Sequence, residues 1–501
     1  MQIKKAISST FRLSAALVFG LMSYSALAAE EIKVGKGSKI TDHDSSVFRP
    51  DPTYEKTPYS AEAQREIYGG KKAVDTPRPL LEIGRRQYTT GPFEPGIDLL
   101  GTKNLIFPGL SIFGDWRTAI AWNDNGAVEL GQVATRLNLD IDLKLTSTER
   151  LHAFVRPLDQ GGNFTRVEFS GDDDDDGEVV KDLNLETLFF EGDLGSIVSG
   201  FSDSYSGFDL PFSFGLMPLL FQNGIWMDDA FSGLAFSIPA RNSVALDISN
   251  MDFTFFAGFD KVTSPAILDT DGKVADHNVN IYGATTFIEA NQGYWEAGYA
   301  RIDGKGGFND LDFHNVTLAH TRRFRDWFSN STRVVTSFGQ DRANDAQQTA
   351  DGAILLIESS LITSKPSTYI PYLNLFAGFD RPQSAARGDG ILKNTGINFE
   401  TDGLTGFPKL DDTGHDTWGG AMGINYLFGL DRQIVAEVAA VKIMGDENEA
   451  GRSAVADQYG FGLRYQQPIT KAWIIRSDAM YGIRDEQEDL FGVRFEVRRK
   501  F

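Results

Sequence analysis

The sequence predicts an all-β fold: a transmembrane antiparallel β-barrel of about 18 strands (16–18) behind an irregular N-terminal extension. Three observations carry that reading. Apolar and polar side chains alternate with a two-residue rhythm, the rhythm recurs through most of the 501 residues, and an export signal precedes it. The rhythm is clearest from Val133 to Thr146, where Leu137, Leu139, Ile141, Leu143 and Leu145 alternate with Arg136, Asn138, Asp140, Asp142 and Lys144. Successive strand residues point to opposite faces, so the stretch has one oily and one charged face. A soluble sandwich would show the same alternation. Recurrence behind an export signal, and a chain ending in Phe501, select a barrel with lipid outside and a polar lumen inside.

Residues 1–28 read as a secretory signal peptide. Lys4, Lys5 and Arg12 precede an apolar core, and Ala26-Leu27-Ala28 is a small-residue cleavage site. No later window is apolar for the roughly 18 residues a membrane helix needs. The chain has no cysteine, so a closed backbone ladder must supply the stability that disulfides give other exported proteins. The net charge is −21, and near −24 without the three signal cations, which argues against nucleic acid as a partner. The run Asp172–Asp176 reads as a solvated loop rather than a divalent-cation site, since five consecutive acids lack calcium-ligand spacing.

Residues 29–109 carry eight prolines from Pro50 to Pro108 and a short helical candidate at Ala61–Tyr68. Prolines interrupt strand ladders, so this part is expected outside the wall, as a periplasmic extension or a partial plug. From residue 110 the barrel follows. Strands are expected near 111–122, 133–146, 151–169, 180–191, 196–203, 231–238, 252–260, 278–288 and 293–302. The other nine lie near 312–323, 328–338, 352–362, 368–378, 416–428, 433–444, 457–467, 472–483 and 490–501. Connections after even-numbered strands are mostly short and those after odd-numbered strands mostly long. This matches periplasmic turns and extracellular loops and leaves both termini periplasmic. Pro239–Met251 (long for a turn) and Arg484–Asp489 (short for a loop) are the exceptions. Phe324, Trp327, Phe328 and Trp473 fall near the turns, as an interfacial aromatic girdle would.

The segment Phe491 to Phe501 places Phe491, Val493, Phe495, Val497 and Phe501 on one face. It resembles the C-terminal insertion signal of outer-membrane barrels, which implies the barrel-assembly machinery as a partner; Arg499 departs from that pattern. The stretch from Val198 to Phe256, with Asp209-Leu210-Pro211-Phe212 and Gln222 through Leu234, resembles the alginate-export type of eighteen-stranded porin. That resemblance implies a channel for an acidic polysaccharide or a similar solute.

Face assignment turns Arg117, Arg136, Lys144, Arg333, Arg464, Arg476 and Arg494 into the lumen beside Asp140, Asp142, Asp478 and Glu496. A basic ladder would ease the passage of an anion. The same charges paired with one another would instead form a structural filling, and both readings stay open. The stretch Ser204–Ala230 is expected as a constriction loop, presenting Phe212, Phe214, Phe221, Trp226, Asp228 and Asp229. The expected function is an outer-membrane channel of a Gram-negative bacterium for passive passage or export of a polar or anionic solute such as a polysaccharide or small organic acid, bounded by lipid and lipopolysaccharide. The alternatives are a receptor or adhesin, and a barrel hydrolase using Asp412, His415 and Asp416. No catalytic residue, metal site or cofactor is expected, since no metal-ligand spacing, phosphate-cradling loop or nucleophile elbow occurs.

Overall fold

The computed structural model describes residues 79–85, 96–171, 177–342, 347–401, 403–429 and 431–501. The signal peptide, the helical candidate Ala61–Tyr68 and the run Asp172–Asp176 lie outside the described residues.

Eighteen antiparallel wall strands close into a barrel. The first nine are β1 (Gly109–Asp124), β2 (Glu129–Lys144), β3 (in two pieces, Arg150–Arg156 and Asn163–Gly171), β4 (Asn184–Asp193), β5 (Pro211–Phe221), β6 (Met227–Ser243), β7 (Ile248–Asp260), β8 (Val279–Ala290) and β9 (Gly293–Gly304). The others are β10 (Phe313–Phe324), β11 (Phe328–Phe338), β12 (Ala353–Leu361), β13 (Tyr369–Phe379), β14 (Thr417–Phe428), β15 (Arg432–Ile443), β16 (Gln458–Pro468), β17 (Trp473–Arg484) and β18 (Leu490–Lys500). Closure is made by β1 on β18, from Asp115 opposite Lys500 to Asp124 opposite Phe491. Gly114 and Phe501 then exchange backbone hydrogen bonds of 2.9 and 3.1 Å.

The wall is apolar outside. On β18, Phe495 is 42% exposed and Arg494, its neighbour, 4%. A soluble protein would bury the phenylalanine; a lipid-facing wall shows it outward. Near the short turns, Phe324, Trp327 and Trp473 are exposed, and Phe328 packs on Phe324 and Trp327.

Three expectations need correction. Residues 196–203 are not a strand: 196–202 belong to the helix α1 (Leu194–Ser202), which ends on Asp203 and is capped at its start by Asp193, whose side chain accepts from the Ser196 amide at 2.7 Å. The fifth strand is instead Pro211–Phe221, inside the stretch expected as a constriction loop. Its outward residues Phe212, Phe214 and Leu220 keep the two-residue rhythm, and Pro218 sits where a strand edge tolerates a missing N–H. The long connection expected at Pro239–Met251 disappears, because β6 runs through Pro239 with a register shift, leaving only Val244–Asp247 as the turn. Part of the N-terminal extension also joins the sheet, where Leu81–Gly84 pairs with Gly109–Ile112 on the edge of β1 below the end of β18.

The long connection from β13 to β14, Asp380–Asp416, turns into the lumen. Its Ala386–Arg387 segment pairs in parallel with Met227–Asp228. Its apolar side chains Ile391, Leu392, Phe399, Phe407 and Leu410 join a buried cluster with Trp226, Phe231, Phe256 and Ile281 of the inner wall. Much of the barrel is thereby filled with packed side chains.

Candidate functional site

Four of the seven expected basic side chains, Arg117, Arg136, Arg464 and Arg494, lie in two neighbouring rows of the inner wall together with Arg498, which was not expected. In the first, Arg498, Arg117 and Arg136 lie directly opposite one another across β18, β1 and β2. Like charges at such positions destabilise a sheet. The row is partly compensated by Asp115, 2.8 Å from Arg117 and 3.5 Å from Arg498, and by Glu496, 3.1 Å from Arg498. Arg136 has no carboxylate partner among the described residues and lies 5.7 Å from the centre of the Phe164 ring.

In the second row Arg464, Asp478 and Arg494 stand in register across β16, β17 and β18. Asp478 holds Arg464 at 2.6 Å, Arg494 at 2.6 Å and Arg476 at 2.9 Å. Glu400, from the inward loop, reaches Arg464 at 2.8 Å. Three guanidiniums therefore face two carboxylates, and the loop is tied to the wall by one of them.

A cavity of about 650 Å³ lies beside the first row and is lined by Asp115, Arg117, Asp140, Asp142, His152 and Arg498. His152 sits 3.1 Å from Glu191, and its ring stacks on Phe189. Lys144 lies 5.3 Å from the Phe107 ring, at the rim. Arg333 stands apart. It is 1% exposed and held by Glu358 at 2.9 Å and by Gln222 at 3.0 Å, so it braces the packed side of the barrel.

The residues expected to constrict the lumen do not do so as a loop. Phe212 and Phe214 lie on the outer face of β5, stacked on each other and packed against Phe190. Phe221 and Trp226 face inward, 6.1 Å apart, as part of the buried cluster. The Trp226 indole N–H donates to Asn315 at 2.7 Å. Asp229 accepts from the Thr263 amide and hydroxyl at 2.7 and 2.9 Å, and Asp228 pairs in register with Arg387. The error lies in assigning Ser204–Ala230 to one loop when its second half already alternates.

The segment that narrows the lumen is Asp380–Asp416, and its anchors come from distant wall strands. Glu437 accepts from the amides of Ile397 at 3.0 Å and Asn398 at 2.9 Å, from Asn398 Nδ2 at 2.8 Å, and from the Tyr372 hydroxyl. The Thr405 carbonyl accepts from Asn123 at 2.7 Å and Gln132 at 2.9 Å. Within the loop, Lys409 pairs with Asp412 at 2.6 Å and Asp389 at 3.2 Å. Burial alone would raise the Asp389 carboxyl, but Lys409 and Lys393 overcome it and the net shift is downward. Glu400, Glu437 and Arg387 were missed from sequence. The available signal was the apolar content of a long outer loop, which solvent alone would not reward.

Asp412, His415 and Asp416 do not converge. Asp412 binds Lys409, and Asp416 accepts from the Asp380 amide at 2.7 Å. Burial, and then Arg381, pushes His415 down to about 4. Among the described residues no hydrogen bond joins the three, as a nucleophile and base would require.

No family model and no curated protein matches the chain. Solved structures do. OccK2 (OpdF) of Pseudomonas aeruginosa aligns with a TM-score of 0.51 at 12% identity, over 78% of this chain and 97% of that one. The outer membrane protein OpdK of the same organism gives 0.50 at 10%, over 78% and 98%, and OccK7 (OpdD) gives the same values. At such identity the likeness concerns the fold: these are barrels of the same architecture.

Proposed function

We propose that this protein is an outer-membrane channel for the passive passage of a small organic anion, with both termini on the periplasmic side. The observation that carries the reading is the row Arg498–Arg117–Arg136, three like charges in direct register, of which Arg498 and Arg117 line an open cavity. A wall built only for stability would not place them so. Charged groups on a pore wall set which ion it favours, and here the guanidiniums of Arg117 and Arg498 reach the cavity beside the carboxylates of Asp115, Asp140 and Asp142. One fold neighbour, OpdK, is an outer membrane protein by name, which agrees with an outer face set in lipid and lipopolysaccharide. On this reading the last strand, ending in Phe501, is what the barrel-assembly machinery receives. A small acid fits better than an extended polysaccharide, because Asp380–Asp416 crosses the lumen and is held at Glu437 of β15 and at the Trp226 carbonyl between β5 and β6.

The test is the reversal potential of single channels in a planar bilayer under a potassium chloride gradient. An anion-selective value is expected, moving towards zero when Arg117 and Arg136 become glutamine. A cation-selective or non-conducting protein would overturn the reading.

A further inference from the structure

Wall strands in hydrocarbon need hydrogen-bonded neighbours on both edges, since unpaired backbone groups there cost several kcal/mol each. One seam departs from this. The ladder between β4 and β5 runs from Asp193 opposite Pro211 to Leu188 opposite Leu216 and stops there. Beyond it, β5 is paired with β6 as far as Phe221 opposite Met227. Among the described residues no strand pairs with the other edge of Met217–Phe221. Pro218 lies in that stretch and has no N–H to offer a partner.

The chain that would complete the seam is held elsewhere. Gly177–Glu178 pairs with Val167 and Arg166 of β3. Val180 donates its amide to Thr165 Oγ1 at 3.0 Å, and the Asp182 amide donates to the Pro157 carbonyl at 3.2 Å. These bonds keep residues 177–182 on β3. The lips of the seam are apolar and open, with Leu183 77% and Leu220 63% exposed. The cavity beside Arg117 and Arg498 extends to Thr187 and Pro218, which flank the last rung.

We infer that the wall carries a lateral port between β4 and β5, through which an amphipathic anion passes between the lumen and the membrane, its charged head on the arginine row and its apolar tail between Leu183 and Leu220. The inference rests on the channel reading and narrows its substrate class to acids with an apolar tail.

Two measurements test it. The first is amide hydrogen exchange of the intact protein in lipid nanodiscs. About half the amides of residues 217–221, those facing the seam, should exchange as fast as loop amides, while β8 and β9 stay protected. Protection throughout 217–221, by this chain or by a second copy, overturns the port whatever the channel conducts. The second uses the absence of native cysteine. The pair Leu183→Cys and Leu220→Cys is bridged with bis-methanethiosulfonate linkers of increasing length, in a porin-depleted Gram-negative strain. Bridging should abolish uptake of labelled octanesulfonate, leave ethanesulfonate uptake unchanged, and be reversed by reductant. Equal loss of both anions, or loss of neither, overturns the port. If the unmodified protein admits neither anion, the channel reading falls and the port with it.

Discussion

Glu437 accepts two hydrogen bonds from Asn398, one from its backbone amide at 2.9 Å and one from its side chain at 2.8 Å. A carboxylate on the inner wall thus holds a residue thirty-nine positions away in the loop that narrows the lumen. Removing it leaves several donors unpaired, at about 1–3 kcal/mol for a buried group and more where the lost acceptor is charged. Glu437→Ala should free the loop without opening the wall. The expected outcome is a larger, noisier single-channel current and new protease cleavage within 388–412, with unchanged heat-modifiability on gels. A quiet channel of unaltered size would sink this account of the loop.

Trp226 anchors the same loop from the opposite wall. It is fully buried, donates to Asn315, and accepts at its carbonyl from the Ala385 amide at 2.8 Å. Truncating a buried tryptophan costs about 3–5 kcal/mol. Trp226→Ala should therefore undock Asp380–Asp416. Gly298 gives an independent check, since a Cβ there would sit 2.6 Å from the indole ring. Gly298→Val should displace Trp226 and reproduce the phenotype, read as a loss of near-ultraviolet tryptophan ellipticity together with a raised conductance.

Arg136 separates the two roles of the lumenal charges. Because it makes no ion pair among the described residues, Arg136→Gln should change stability by less than ~1 kcal/mol, the scale of a cross-strand like-charge contact or an exposed cation–π contact. Its effect on the anion-to-cation permeability ratio should be the larger one, a several-fold fall measured from reversal potentials. A marked stability loss with unchanged selectivity would mark the row as structural filling.

Two buried groups in the loop titrate in opposite senses. Burial, opposed by hydrogen bonds from Thr413 and reinforced by Asp412, pushes Asp411 up to about 6. His415 is pushed down to about 4 by burial and by Arg381. The undocked values are about 3.9 and 6.5. Between pH 4 and 6 the docked loop keeps a proton on Asp411 that the free loop has lost, so this group weakens docking as pH rises. His415 works the other way: the free loop takes a proton that the docked one refuses, so docking strengthens as pH rises. Each slope is at most about 1.4 kcal/mol per pH unit, and the two offset. Wild-type conductance should be nearly flat across this window. Asp411→Asn should open the channel on acidification, and His415→Asn should open it as pH rises from 4 to 6. Parallel behaviour of the two variants would refute the assignment.

The sequence by itself determined the wall. The alternation on Leu137–Leu145, Trp418–Phe428 and Phe491–Val497 is a local property of a strand between two solvents, and the inward set from Arg117 to Arg494 follows from it. Errors arose where a local signal competed with it. The cap at Asp193 turned an expected strand into α1, and Pro239 suggested a break that a register shift absorbs. Only the tertiary structure decided which connection enters the lumen. That choice rests on contacts such as Thr405 with Asn123, 282 residues apart, and Glu400 with Arg464, which no periodicity records. The same holds for the parting of β4 from β5, since a strand's rhythm fixes which way its side chains point but not whether a neighbour arrives to complete its hydrogen bonds.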